Sequence, residues 1–434
     1  MPRTLPRLKA ATLAMTCVAA VLCSAGSASA RPTFGVQGVS PSDSPAALQS
    51  RLDVAQRVGA KQLRIGVMWS RLQPAGPDAY DQDYLAAVDR LMAGAAARNI
   101  KVVLFVTATP CWASTAPTSA KAQCSDGITP YGVYRYPPSD PETFAHLSAF
   151  LVARYHATLA GYEVWNEPDQ INENYWAGPD KVKRYVALVK ATYRPVKLAA
   201  PDVPVLAGSF VGGNGKWLQA MYNAGIKGSY DGLAVHFYDL PLQSLAVTRK
   251  VQKANGDRTP EWLTEFGWNS CYSKGGPAYR VQHRCITLTM QGTALRDLAR
   301  AIHATTWLKS AILYQDEDEN ADYRFGLFER GGTPKPSFSV LSKLLHGKIT
   351  GRLTKPTIRL RVSKGRLVAS GHASIADIFQ LTARQNGTLR YRATLRSDRN
   401  GAWKVTFPAN FPTSGLKVKI ASLWSPAAAA SASR

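Results

Sequence analysis

Cysteine and histidine are scarce in this chain, six and seven among 434 residues, with no C-x-x-C pair and no histidine spacing that suits a metal. A structural zinc site draws its ligands from such clusters, so none is expected. Long apolar runs are missing beyond residues 10–25, and that run itself falls short of the roughly 20 residues a membrane helix needs. No Gly-rich loop follows the first apolar segment, which removes the usual mark of a nucleotide-binding open sheet. Acidic residues are also few, 29 against 53 Lys and Arg. The shortage is uneven: residues 347–434 hold 16 basic and 2 acidic side chains, a balance of +14, whereas residues 31–346 carry only +7. No nucleic-acid motif accompanies this charge, so nucleic acid is not an expected partner.

The first thirty residues read as an export signal. Arg3, Arg7 and Lys9 precede a mostly apolar stretch, and Ala28-Ser29-Ala30 fits an A-x-A cleavage site. The expectation is a secreted, extracellular or wall-associated protein starting at Arg31, with no membrane contact after cleavage. Export leaves four cysteines in two local couples, Cys111 with Cys124 and Cys271 with Cys285. In an oxidising compartment they read as disulfides, and four cysteines permit three connectivities.

From 33 to 346 short apolar runs alternate with amphipathic ones. Eight candidate strands fall at 33–39, 62–67, 101–107, 162–166, 205–209, 232–237, 261–265 and 310–314. Helical periodicity lies between them, as at 48–58, 81–98, 141–156, 180–199, 216–224 and 279–303. Eight such units predict an α/β protein built on an eight-stranded parallel (β/α)8 TIM barrel over residues 31–346. Past 346 the period changes to alternation, as in Thr357-Ile358-Arg359-Leu360-Arg361-Val362, with turn signals at Asn386-Gly387 and Arg399-Asn400-Gly401. A small all-β sandwich is expected over 347–425, followed by an Ala- and Ser-rich disordered end at 426–434.

Two glutamates stand at strand ends: Glu167 in Glu163-Val164-Trp165-Asn166-Glu167-Pro168-Asp169, and Glu265 in Trp262-Leu263-Thr264-Glu265-Phe266-Gly267-Trp268. Barrels keep their chemistry there, and two carboxyls facing one pocket are the minimum equipment for cleaving a glycosidic bond. The W-N-E-P after the fourth strand, the T-E-F-G after the seventh and His236-Phe237-Tyr238 after the sixth resemble a clan A glycoside hydrolase, a cellulase-like enzyme related to families 5 and 39. That resemblance covers most of 34–346. It implies Glu167 as acid/base, Glu265 as nucleophile, retention of anomeric configuration and no cofactor or metal. It further implies Asn166 on the sugar 2-hydroxyl, His236 in the same subsite, and Arg64 and Tyr238 holding Glu265 ionised.

Sugar rings pack their C–H faces on aromatic platforms. Trp69, Trp112, Trp176, Trp268 and Tyr314 all fall in or near strand-end loops, Trp268 directly after the second glutamate motif and Trp112 directly after Cys111. The family often has a tryptophan after the eighth strand; here Tyr314 and Gln315 stand there. Residues 316–322 carry five acids in seven and read as a solvated loop. The expected substrate is a polysaccharide or oligosaccharide, with an anionic cell-wall polymer as a further partner of the basic module. A carbohydrate-binding or wall-anchoring protein with weak catalysis is the alternative.

Overall fold

The computed structural model describes residues 31–125, 127–238, 241–270, 287–347, 349, 356–373, 378–398, 401–422 and 428–431. The first half runs β1 (Thr33–Gln37), α1 (Pro45–Val58), β2 (Gln62–Met68), α2 (Trp69–Leu72), α3 (Gln82–Ala97), β3 (Lys101–Thr107), α4 (Thr118–Lys121), α5 (Tyr131–Tyr134), α6 (Pro141–Tyr155) and β4 (Leu159–Val164). It continues with α7 (Lys181–Ala199), β5 (Val205–Val211), α8 (Gly215–Asn223), β6 (Gly232–Tyr238), α9 (Pro241–Ala254), β7 (Glu261–Gly267), α10 (Leu288–His303), β8 (Leu308–Leu313) and α11 (Pro336–His346).

The eight strands pair in sequence order, all parallel, and β1 closes on β8 with Phe34 opposite Ala311. Strands buried on both faces explain why these segments read as unbroken apolar runs. Helix starts carry the residues that satisfy free N–H groups: Ser44, Asp81, Asp140, Asn214 and Thr287 each accept a hydrogen bond from the first turn. Gly59 ends α1 at φ 88°, where its N–H reaches the carbonyls of Ala55 and Gln56. A side chain there would be strained and would press within 3.1 Å of Leu345 on α11. No helix among the described residues is long and apolar enough to cross a membrane.

Several boundaries differ from the sequence reading, those of β4 and β7 at the glutamates themselves, and one helix was missed. β4 starts at Leu159 and ends at Val164, before Asn166, because Trp165 and Glu167 adopt φ of 70° and 44° and break the pleat. β7 runs through Gly267, so Glu265 lies inside the strand. α9 was not singled out by periodicity, its apolar residues being spread among Thr, Arg, Lys and Gln.

The C-terminal strands are β9 (Arg359–Ser363), β10 (Arg366–His372), β11 (Ile378–Gln385), β12 (Thr388–Arg396), β13 (Ala402–Thr406), β14 (Leu416–Ser422) and β15 (Ala428–Ser431). They form antiparallel sheets ordered β13-β10-β9 and β12-β11-β14-β15. Leu367, Ala369 and Trp403 from one sheet meet Leu381, Ala383, Val418 and Ile420 from the other in a hydrophobic cluster separate from that of the barrel. Asn386 and Gly387 both take positive φ, as the β11–β12 hairpin turn requires. Within the end expected to be disordered, Ala428–Ser431 instead adds a strand to the edge of β14 through main-chain pairing.

Candidate active site

β4 and its extension carry two glutamates. Glu163 lies within the strand and is fully buried; two residues on, Trp165 turns the chain, and its ring wedges between Phe144 at 5.8 Å and Trp176 at 5.1 Å. The Trp165 Nε1 donates to the Tyr175 carbonyl at 2.7 Å, tying down the loop that follows. Anchored there, the left-handed Glu167 points its carboxyl over the barrel mouth. Backbone in such a region costs on the order of 1–3 kcal/mol and persists where packing over-determines it.

Arg64 on β2 is the node of the site. Its Nε donates to Glu163 at 2.6 Å, Nη1 to Glu265 at 2.5 Å and to Gln37 at 3.0 Å, and Nη2 to Asn166 at 2.7 Å, while the guanidinium lies 4.0 Å from the Phe105 ring centre. Tyr238 donates to the second oxygen of Glu265. Glu265 is therefore held from both sides, as the sequence reading expects. His236, fully buried at the end of β6, places Nδ1 2.8 Å from Glu167 Oε1 and 3.5 Å from Glu265 Oε2. One oxygen each of Glu167 and Glu265 and a nitrogen of His236 lie within 4.8 Å of one another.

The charges order themselves around this geometry. Burial alone would raise Glu163, but Arg64 and His236 outweigh it and hold the carboxyl at about 2. Burial would lower His236, yet the Glu265 charge, with Glu163 3.8 Å from Nε2 and the hydrogen bond to Glu167, more than offsets burial and the Arg64 charge and lifts it to about 9. The imidazole thus keeps its proton at neutral pH and donates to Glu167. Burial and the Glu265 charge push Tyr238 well up, keeping its hydroxyl a donor.

Tyr314 stands edge-on to Tyr238 at 5.8 Å, donates to Glu319 at 3.0 Å, and lines a cleft of about 770 Å³ with Gln37, Arg64 and Gln315. The other aromatic residues are less open. Trp268 is only 5 % exposed and belongs to the barrel core. Trp112, half-buried, stacks edge-on against Trp69 at 5.5 Å and donates to the Gln73 carbonyl at 2.8 Å. Trp69 and Trp176 are fully buried and serve the core, which corrects the platform expectation for those two.

The structure adds groups that the sequence reading passed over. Glu163 is one, and it was within sight: a carboxylate inside an apolar strand must be paired. Gln37, Tyr175 and Gln170 are others; Gln170 donates its amide Nε2 to Glu167 Oε2. The acidic loop is also corrected. Asp318 is buried, bound to Lys335 at 2.5 Å and Arg324 at 3.1 Å, and Asp316 is buried 3.5 Å from Arg51. The Cys111–Cys124 disulfide is formed, while Cys271 and Cys285 lie outside the described residues.

Comparison with known proteins bears on family and fold. The family described as cellulase (glycosyl hydrolase family 5) matches residues 27–279. No curated protein sequence matches the chain. Among solved structures, a family 39 glycoside hydrolase from Bacteroides cellulosilyticus WH2 is similar, with 17% identity over 87% of this chain and 81% of that one and a TM-score of 0.54. A family 39 β-xylosidase from Caulobacter crescentus has 16% identity over 88% and 96%, TM-score 0.54. A hyperthermophilic β-glucosidase from Pyrococcus furiosus has 13% identity over 73% and 95%, TM-score 0.54. At these identities the likeness is one of fold.

Proposed function

Because the chain belongs to the cellulase family, glycosyl hydrolase family 5, we propose that it is a secreted retaining glycosidase acting on an extracellular or cell-wall polysaccharide by double displacement. The observation that carries this reading is the pair of carboxylates within 4.8 Å of each other, in the range that leaves no room for a water between nucleophile and sugar. In the first step Glu265 bonds the anomeric carbon while the Glu167 proton passes to the departing oxygen, which leaves with the electron pair of the broken bond. In the second, Glu167 takes a proton from water, the water oxygen bonds the same carbon, and Glu265 departs. Arg64 and Tyr238 hold Glu265 aimed and charged, and Asn166, fixed by Arg64, faces the sugar 2-hydroxyl.

Residues 1–30 would direct export, and the basic module would dock on an anionic wall polymer. The β-xylosidase and β-glucosidase among the similar structures make β-linked sugars the first to try. Reducing-sugar release is measured on neutral, amino and acidic polysaccharides with Glu167→Gln and Glu265→Gln alongside. Loss of release in Glu265→Gln and a fall of about 10²–10⁴-fold in Glu167→Gln are expected. A substrate cleaved equally well by Glu265→Gln sinks the assignment.

A further inference from the structure

Gln170 sits one turn beyond the proposed acid/base. Its backbone N–H donates to the Glu167 carbonyl at 3.3 Å, and its own carbonyl accepts from Glu173 N–H at 3.2 Å, so the loop sets the position of its side chain relative to Glu167. The Nε2 amide donates to Glu167 Oε2, while the other amide atom, Oε1, is buried with no hydrogen-bond partner. His236 Nδ1 occupies the remaining oxygen, Glu167 Oε1. Both Glu167 oxygens therefore accept hydrogen bonds, an arrangement that fits a carboxylate, and a proton on the side of Oε2 that faces Gln170 would meet the amide N–H head-on.

A retaining cycle needs Glu167 in both states, protonated before the first bond breaks and ionised before water attacks. His236 holds Oε1 in either state, so the proton belongs on Oε2, the oxygen facing Gln170. An amide is suited to such a neighbour: turned one way it donates, and turned by half a rotation about its last bond it accepts. The orphaned Oε1 is the acceptor that the protonated carboxyl lacks. A buried polar atom without a partner is costly, and reversal of the amide on protonation of Glu167 removes that cost.

We infer that Gln170 is a positioning residue whose side-chain amide reverses with the charge of Glu167, donating to the carboxylate and accepting from the acid, so that the carboxyl keeps one orientation through both halves of the reaction. The inference rests on the assignment of Glu167 as acid/base. It requires no group that the chain lacks, and the proton stays on Glu167 Oε2 until the departing oxygen takes it.

The test compares leaving groups. Phenyl and 2,4-dinitrophenyl β-D-xylosides, β-D-glucosides and β-D-mannosides are hydrolysed by the full chain and by Gln170→Leu, which keeps size and loses both the donor and the acceptor of the amide. Dinitrophenolate departs without acid assistance, so its first step is insensitive to the aim of Glu167. The expected result is a fall of at least about tenfold in kcat/KM for the phenyl glycoside, a part of the 10²–10⁴ that acid catalysis supplies, with the dinitrophenyl value within about threefold of the parent. Gln170→Glu, which can accept and, when protonated, donate, should recover part of the phenyl activity with the alkaline limb of kcat/KM moved to higher pH, since two carboxyls sharing a proton hold it longer. Equal loss on both leaving groups, or no loss on either, overturns the role of Gln170 and leaves the hydrolase standing. Failure of the parent chain to cleave any of the glycosides overturns the hydrolase reading, and this inference with it.

Discussion

At the scale of single residues, the site is governed by two cations that the carboxylates need. Arg64 binds Glu163, Glu265 and Asn166 at once, and His236 bridges the two proposed catalytic glutamates. The imidazole, raised to about 9 in the fold from an ordinary value near 6.5, prefers the folded state when charged. Its contribution is complete below pH 6.5 and is lost as pH rises through about 9. His236→Gln should therefore lower the urea midpoint most near pH 6, by up to about 3 kcal/mol in stability, and hardly at all near pH 10. A difference between parent and variant that is constant from pH 6 to 10 would place the effect in packing instead. Glu167 and Glu265 were legible because each stands in a distinctive motif in the expected strand order. Glu163 opens the first of those motifs and Gln170 follows it by one residue, yet both went unread, because Glu163 acts through Arg64, Ser209 and Thr264 far along the chain and Gln170 through a backbone that bends at Trp165 and Glu167.

Among the elements, the loop between β8 and α11 shows most clearly what spacing conceals. Five acids in seven residues read as a wet surface, but two of them are buried. Asp318 neutralises Arg324, six residues on, and Lys335, seventeen residues on, and also accepts from Gly326 N–H at 2.9 Å. Burial lowers Lys335 to about 8 even though Asp318 pulls it back up. This cluster ties the loop that carries Tyr314, Gln315 and Glu319 to the cleft wall. Asp318→Asn would take from Lys335 its nearest counter-charge and leave Arg324 to its pairing with Glu329, and a loss of about 3–5 kcal/mol is expected. Thermal unfolding measures it, and faster proteolysis within 316–335 should accompany it. An unchanged melting temperature in Asp318→Asn would mean that the cluster is not what holds the loop. The strands, by contrast, were found from pattern alone, since burial on both faces leaves an apolar run that no partner needs to explain.

For the whole molecule, the division into a nearly neutral barrel and a basic module was visible in composition, and the structure says where the charge goes. On the β12-β11-β14 sheet the inward residues Leu381, Ala383, Val418 and Ile420 fill the core, and the alternate positions Arg384, Arg392, Lys417 and Lys419 are exposed. Register sets Arg384 beside Lys417 and puts Lys419 and Arg392 on either side of Thr382. These three strands contain no acid. Like charges this close repel one another and weaken the sheet slightly, a cost that a polyanion lying across the face would relieve. Replacing the four by glutamate in the full chain should cut co-sedimentation with insoluble polygalacturonate by about tenfold or more at 0.15 M salt, where the screening length is about 8 Å, while hydrolysis of a small glycoside stays as it was. Parent binding should itself fade at 1 M salt, where that length is about 3 Å. Binding that survives both the substitutions and the salt would instead assign retention to the cleft, making the charge of this module a matter of solubility alone.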